Sequence, residues 1–175
     1  SEVEELLERD KDLNRRVNEL NEKTSREDEK LNDEINKRID RLVERARELL
    51  ERIRREVRTE DMVRKVLEEL KRLLEELRRL IETADKEVED SLRDDERLLK
   101  KIKEDAERTL KEARDRGLDE RLIRELEERN RESVERVRRS LKENEDRNRE
   151  SKKRLEDLLR EVKRLMDKLE EDLRK

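Results

Sequence analysis

The chain has 175 residues, of which 61% are charged and 29% apolar, and its 51 basic and 55 acidic side chains leave a net charge of only −4. Phe, Trp, Tyr, His, Cys, Pro and Gln are absent. Disulfides are therefore excluded, together with the commonest metal ligand and general base. No apolar run exceeds three residues, so we expect no transmembrane span, no signal peptide and a soluble chain, cytoplasmic if expressed recombinantly.

High charge and low hydrophobicity usually indicate disorder, but here the charges nearly balance and Leu, Ile and Val dominate the apolar residues. This composition is typical of long helices and coiled coils. Two places carry helix-boundary chemistry. Gly117 suits the left-handed position that ends a helix, with Leu118 for the accompanying apolar contact and Asp119 as the next N-cap. Thr59 is a second N-cap and marks a tight turn.

These boundaries predict three helices of about 55 residues, over about 2–58, 60–115 and 119–174. In each helix the apolar positions recur about every 3.6 residues, which is the period of a straight α-helix. Doubled apolar positions such as Leu73-Leu74 widen each stripe so that it can meet two neighbours. We therefore predict an all-α protein with a single domain over 1–175, an elongated and nearly straight three-helix bundle of antiparallel up-down-up topology.

Polar residues interrupt the apolar seams in the middle of the chain. No apolar residue lies between Leu20 and Leu31, or between Leu141 and Leu155. Asn is a poor helix former, so its repeated use at inward positions needs a reason. If the turns are centred near residues 59 and 117, residue numbers at equal height add to about 118 across helices 1 and 2, and to about 234 across helices 2 and 3. The polar positions of the three helices then coincide.

This coincidence predicts buried side-chain hydrogen-bond networks, because an unpaired polar group in a dry core costs about 1–3 kcal/mol whereas a paired one is roughly neutral. Such networks penalise slipped arrangements that a uniform Leu core would tolerate. The candidate network residues are Asn14, Asn18, Asn21, Thr24, Ser25, Asp28, Asn32, Asn36, Thr83, Ser91, Asp95, Thr109, Asn130, Ser133, Ser140, Asn144, Asn148 and Ser151. The alternative interpretation is that many of them lie at the seam edge and face water.

Two candidates and one segment raise specific questions. Asp28 and Asp95 would repel each other if both were buried, unless Asn, Ser or Arg donors separate them. Thr24 and Ser25 both have capping-box spacing to an acidic residue, so a hinge in helix 1 is an alternative to a shared polar layer.

Other function classes lack their sequence signals. Any carboxylate pair among 55 acidic residues carries almost no information, so we expect no enzyme, no catalytic residue, no cofactor and no metal site. Basic residues alternate with acidic ones and no aromatic residue is present, which argues against nucleic-acid and membrane partners. No partner of any kind is required by the sequence.

Near-equal helices, the Gly117-Leu118-Asp119 connection, a surface of Glu, Arg and Lys, and the aligned polar layers together resemble de novo designed, parametrically generated helical bundles with buried hydrogen-bond networks. The resemblance covers the whole chain and implies a stable scaffold without natural activity or natural localisation. Spectrin-type repeats are a second resemblance, but they have shorter helices and aromatic residues. We expect a monomeric scaffold. The alternative is a module that completes its core with a partner helix or with further copies of itself, as a homo-oligomer.

Overall fold

The computed structural model describes residues 1–55 and 59–175, and nearly all of them are helical. In chain order the elements are α1 (Glu2–Glu22), a π-helical turn π1 (Lys23–Asp28), α2 (Glu29–Arg55), α3 (Glu60–Thr83), a second π turn π2 (Ala84–Val88), α4 (Glu89–Asp115) and α5 (Glu120–Arg174). These two ranges contain no β-strand. The all-α prediction is confirmed, while the predicted end of helix 1 near residue 58 lies outside the described residues.

Two of the three predicted helices are interrupted. The first is divided by π1 and the second by π2, so residues 1–55 and 59–175 contain five α-helical segments where the sequence predicted three helices. The third predicted helix is one α-helix of 55 residues. The turn π1 contains the Thr24–Asp28 segment that suggested a hinge. The backbone is nevertheless helical throughout this segment, and the residues on either side of π1 also have right-handed helical dihedral angles.

The spacing of buried side chains explains where the π turns lie. From Leu13 to Leu20 the buried positions are separated alternately by four and three residues, as in a heptad repeat, but from Leu20 to Asn32 they are separated by four residues three times in succession. The same three steps of four run from Leu80 to Leu92, around π2. A π turn holds one residue more than an α turn. Each π turn therefore absorbs one extra residue without rotating the following side chains out of the core.

This pattern corrects the interpretation of the apolar period. Heptad spacing of 3.5 residues on both sides of one inserted residue averages to about 3.6, the value that the sequence alone presented as uniform. The average was right, but its origin is local. The extra residue is concentrated in π1 and π2 and is not spread evenly along the first two predicted helices.

The chain divides into two compact units. Unit 1 comprises Ser1–Lys30 and Asp90–Asp146, and unit 2 comprises Leu31–Glu89 and Arg147–Lys175. Helix α5 contributes residues to both.

Ion pairs define the helix directions inside unit 1. Arg9 pairs with Glu112 at 2.5 Å, and Arg16 pairs with Asp105 at 3.0 Å. Because the residue number rises along α1 as it falls along α4, these two helices are antiparallel. The corresponding pairs in unit 2 are those of Arg45 with Glu76 and of Arg52 with Glu69, and they make α2 and α3 antiparallel as well.

The predicted connection at Gly117 is confirmed. Gly117 has φ of 72°, the left-handed region that only Gly adopts without cost. The Leu118 N–H donates to Ala113 O at 3.1 Å and the Gly117 N–H to Arg114 O at 3.0 Å, which is the Schellman pattern. The half-buried Leu118 packs on a core cluster made of Leu6, Leu110, Ala113, Ile123 and Leu126.

Two N-caps also match the sequence prediction. The Asp119 carboxylate accepts from the Arg121 N–H at 3.1 Å at the start of α5. The Thr59 hydroxyl accepts from the Met62 N–H at 3.3 Å at the start of α3. Both side chains satisfy backbone donors that the first turn of a helix leaves unpaired.

Large aliphatic side chains are most completely buried in unit 2. Ten of the twelve largest fully buried side chains belong to it, and only Ile123 and Val137 belong to unit 1. Full burial of an aliphatic side chain contributes about 1.5–3 kcal/mol, so these ten residues are a large part of the apolar stabilisation of unit 2. Across residues 1–55 and 59–175, no helix combines the length and the apolar character needed to cross a membrane.

Candidate functional site

A charged cluster lies inside unit 1, where π1 meets α4. Asp28 and Asp95 are both buried, with 5% and 0% exposure. The Lys23 ammonium pairs with the Asp95 carboxylate and lies 3.5 Å from the Ser91 hydroxyl. The Ser91 hydroxyl donates to Asp28 Oδ1 at 3.3 Å. One ammonium and one hydroxyl thus separate two carboxyl groups, which is the kind of arrangement that the sequence required for this pair.

The environment changes the proton affinity of two of these groups. Burial, a hydrogen bond with Asp95 and the charge of Asp95 together raise the pKa of Asp28 to about 7, against the weaker opposing effects of Lys23 and Ser91. Burial lowers the pKa of the Lys23 ammonium, but the hydrogen bond with Asp95 and the Asp95 charge outweigh this effect, so the Lys23 pKa is raised. The cluster therefore holds its lysine charged, and near neutral pH it holds Asp28 partly protonated.

Side chains from α5 and from π1 itself bond backbone carbonyls at and just before π1. Asn144, which is buried in α5, donates from Nδ2 to Thr24 O at 2.8 Å. The Thr24 and Ser25 hydroxyls both donate to Asn21 O, at 3.0 and 2.8 Å. In a π turn the backbone partners shift by one residue, and these polar side chains supply additional donors where the α-helical ladder is disturbed.

A second polar contact in unit 1 centres on Asp10, which the sequence analysis did not select. Asp10 is 3% exposed, and its Oδ2 accepts from Asn14 Nδ2 at 3.1 Å and from Arg129 Nη2 at 3.3 Å. The predicted partner of Asn14 was Asn130. Asn130 is half-buried and its Nδ2 has no hydrogen-bond partner among the described residues. Asn14 therefore takes part in a polar contact between helices, but the other residues in that contact are Asp10 and Arg129.

Thr109 is also buried in unit 1, and its hydrogen bonds satisfy it locally. Its hydroxyl donates to Asp105 O at 2.7 Å and accepts from Arg9 Nη2 at 3.1 Å. Arg9 also pairs with Glu112. Thr109 therefore links α4 to α1 through Arg9. It takes no part in the contact between Asp10 and Asn14.

Unit 2 contains a hydrogen-bond network built on Asn36. Asn36 Nδ2 donates to Asn32 O at 3.0 Å, and Asn36 Oδ1 accepts from the Ser151 hydroxyl at 3.2 Å and from Arg154 Nη1 at 3.1 Å. Asn32 and Ser151 are buried, with 1% exposure each. Arg154 also pairs with Asp40 at 2.7 Å. This network joins α2 to α5.

Lys152 pairs with two carboxylates at once in unit 2. Its ammonium lies 2.6 Å from both Asp85 and Glu89, and its hydrogen bonds with these two carboxylates raise its pKa. The predicted residues Thr83 and Asn148 take part neither in the Asn36 network nor in the ion pairs of Lys152. The Thr83 hydroxyl donates to Arg79 O at 3.0 Å, within its own helix, and Asn148 is buried with no hydrogen-bond partner for its Oδ1 among the described residues.

The predicted residues separate into three groups by burial. Those buried are Thr24, Asp28, Asn32, Asp95, Thr109, Asn144, Asn148 and Ser151. Those half-buried are Asn14, Asn21, Asn36, Thr83, Ser91, Asn130, Ser133 and Ser140. Asn18 and Ser25 are exposed, which corrects their assignment to a buried network. Ser25 follows the buried Thr24 directly and is rotated by about 100° around the helix axis, which places it on the solvent side of π1.

The residues in these contacts that sequence reasoning missed include Lys23, Asp10 and Lys152. Asp10 carried a signal, because it lies four residues after Leu6 and three before Leu13 on the apolar face. The two lysines carried none that distinguishes them from the other basic residues, since their long side chains approach the core from its edge.

The described residues contain no group of three or more acidic side chains that could hold a metal ion. The polar side chains described above form hydrogen bonds and ion pairs that connect specific positions on neighbouring helices.

Comparison of the chain with protein-family models, with curated proteins and with solved structures finds no match.

Proposed function

We propose that the chain is a structural scaffold in which buried polar contacts define the register of the helices. The observation that carries this proposal is the bond between Asn144 Nδ2 and Thr24 O, at 2.8 Å and between residues that are 3% and 0% exposed. A shift of one helix against another would remove a partner from each of these groups. An unpaired buried polar group costs about 1–3 kcal/mol, so the native register is favoured over slipped ones.

Unit 2 supports the same role independently. The Asn36 network connects α2 with α5 through Ser151 and Arg154. A slip of one turn would separate Asn36 Oδ1 from both donors, while the Ser151 hydroxyl would keep its bond to Arg147 O, at 2.9 Å within α5. Two separate sets of polar contacts that depend on register are more than apolar packing requires, because Leu cores tolerate neighbouring registers.

For the whole chain we propose a three-helix bundle with up-down-up topology, nearly straight and elongated. Its support is that the ion pairs Arg9–Glu112 and Arg16–Asp105 in unit 1, and Arg45–Glu76 and Arg52–Glu69 in unit 2, all have residue numbers that add to 121. The sequence predicted about 118 from the position of the first turn. The origin that this proposal implies is design, on the sequence resemblance to designed bundles with buried networks.

The alternative function is an interaction module that pairs with a helix or with copies of itself. It is favoured by four exposed large apolar side chains among the described residues, Val3, Leu7, Met62 and Leu98, with exposures of 38% to 48%. Val3 and Leu7 lie one turn apart on α1. Single exposed apolar residues are common on monomeric proteins, so this observation weighs less than the register contacts.

Sedimentation equilibrium over a wide concentration range tests the two functions. We expect a mass of 21.7 kDa at all concentrations, because the buried seams already meet within each unit. Leu7→Glu is the matched variant, and it should leave the mass unchanged. A mass two or three times larger that Leu7→Glu returns to 21.7 kDa would contradict the monomeric scaffold and establish the interaction module.

A further inference from the structure

The charged cluster of unit 1 has one positive charge for two buried carboxyl groups. Lys23 and Ser91 bring the two carboxyls into one cluster, because Lys23 pairs with Asp95 and lies 3.5 Å from the Ser91 hydroxyl, which donates to Asp28. A proton on one of the two carboxyls would remove the negative charge that Lys23 leaves uncompensated. Oδ2 of each carboxyl has no hydrogen-bond partner in the described part of the chain. The remaining oxygens are occupied, since Asp95 Oδ1 accepts from Lys23 and Asp28 Oδ1 accepts from Ser91.

The groups that surround this pair come from three elements. From π1 the Lys23 ammonium contacts the pair, while Glu27 of the same turn is exposed. On α4 its neighbour is the uncharged Ser91, and the adjacent charged side chains Arg93, Asp94 and Glu96 are exposed. The α5 segment of unit 1 contributes the uncharged Asn144, a half-buried Glu145, and the exposed Lys142, Glu143 and Asp146. Lys23 is therefore the one cation in direct contact with the two buried carboxyls among these groups.

We propose that Asp28 and Asp95 share a single proton, and that this proton makes unit 1 a pH-dependent element that is most stable while the proton is held. With it, Lys23 and the pair together are electrically neutral. Without it, two carboxylates face each other in a space of low dielectric with one ammonium between them, and one negative charge is uncompensated.

The direction of the effect follows from linkage. The pKa of Asp28 in the folded chain, about 7, lies above the value of about 4 of an unfolded aspartate. Between these two values the folded chain binds more protons than the unfolded chain. The contribution of Asp28 to stability is therefore fully present below about pH 4 and is lost as the pH rises through 7. A tenfold change in equilibrium constant per unit of pKa sets an upper limit of about 1000-fold.

The test compares wild type with Asp28→Asn in urea unfolding between pH 4.5 and 8.5. The amide imitates the protonated carboxyl, because it can accept from Ser91 and donate to Asp95 while carrying no charge. We expect nearly equal unfolding midpoints at acid pH, and a variant that is more stable than wild type at pH 8.5 by more than tenfold in folding equilibrium constant. Asp94→Asn is the control for net charge, since Asp94 is exposed next to Asp95, and its difference from wild type should not depend on pH.

A second measurement decides the question without any variant. Carbon-13 NMR of the Asp side-chain carboxyls in the wild-type chain should show the Asp28–Asp95 pair titrating with an apparent midpoint near pH 7. A midpoint below pH 5 for both carboxyls would overturn the proposal, whether or not Asp28→Asn folds. So would a stability difference between Asp28→Asn and wild type that is the same at pH 4.5 and pH 8.5.

Discussion

Asn144 combines two opposing contributions at a single buried position. Its side chain fills core space with only 3% exposure, and its amide serves Thr24 O in π1. Replacing it by an apolar residue of similar size gains the burial of that residue, about 1.5–3 kcal/mol for Leu. The same replacement loses the hydrogen bond and leaves a buried carbonyl short of a donor, about 1–3 kcal/mol. The two effects are of equal size.

We therefore predict that Asn144→Leu changes the free energy of unfolding by less than about 1 kcal/mol, or raises it slightly, while it broadens the population of registers or oligomers. Asn144→Ala loses the bond without apolar compensation and should cost about 1–3 kcal/mol. Urea unfolding gives the energies, and sedimentation velocity counts the species. Asn18→Leu is the control at an exposed position and should alter neither. A loss above 3 kcal/mol for Asn144→Leu with a single species would show that the amide acts for stability and not for register.

At the scale of single residues, the sequence identified several short polar side chains that face inward, although it also selected the exposed Asn18 and Ser25 and missed the buried Asp10. Thr24, Asn32, Asn144 and Ser151 lie where the apolar period placed them, and all four are buried. Long side chains escaped the prediction. Lys23 lies half outside the core and bends its ammonium toward Asp95, a reach that the position of its backbone on the helix does not reveal.

Each π turn is the local solution to one extra residue in a heptad pattern. Removing one residue from π1 would turn the three successive steps of four between Leu20 and Asn32 into steps of four, three and four, so the heptad spacing would run on unbroken. A continuous α-helix can then keep the same side chains on the core. Removal of a residue from a regular α-helical segment has no such remedy, because it rotates everything beyond it by about 100°.

This difference gives a prediction for single-residue deletions. Deleting Ser25, which is exposed within π1, should cost less than about 2 kcal/mol. Deleting Lys37, equally exposed but inside α2, should cost more than about 5 kcal/mol, because it turns Ile39 and the buried residues after it away from the core, each contributing about 1.5–3 kcal/mol. Circular dichroism melts of the two deletions measure the contrast. Equal destabilisation would mean that π1 is not the place where the extra residue is absorbed.

At the scale of elements, local chemistry made the helix ends predictable. Gly117 and the N-caps Thr59 and Asp119 act within a few residues of themselves, so a single sequence contains their whole signal. The positions of the π turns were not predictable in the same way, because they depend on which of several neighbouring polar residues is buried. Thr24 and Ser25 look alike in the sequence, and only the burial of Thr24 and its bond from Asn144 distinguish the inward residue.

At the scale of the whole molecule, the two units differ in what they bury. Unit 2 holds ten of the twelve largest fully buried aliphatic side chains. Unit 1 holds all three buried aspartates, Asp10, Asp28 and Asp95. Burial of an ionisable group costs free energy unless the group is fully paired. Each of these aspartates keeps one buried oxygen without a hydrogen-bond partner among the described residues.

This asymmetry predicts that unit 1 opens before unit 2 under native conditions. Amides of α3 from Val66 to Leu80 should exchange with solvent at least tenfold more slowly than those of α1 from Leu13 to Leu20, since tenfold corresponds to only about 1.4 kcal/mol and local openings sample free energies up to that of global unfolding. Native-state hydrogen exchange read by mass spectrometry at pH 8 measures both segments together. Asp28→Asn should slow exchange in α1 and leave α3 unchanged, because the substitution relieves a buried charge only in unit 1. Equal protection of both segments in wild type would instead mean that the chain unfolds as one cooperative body, and that the uneven distribution of buried charge does not lower the barrier to local opening.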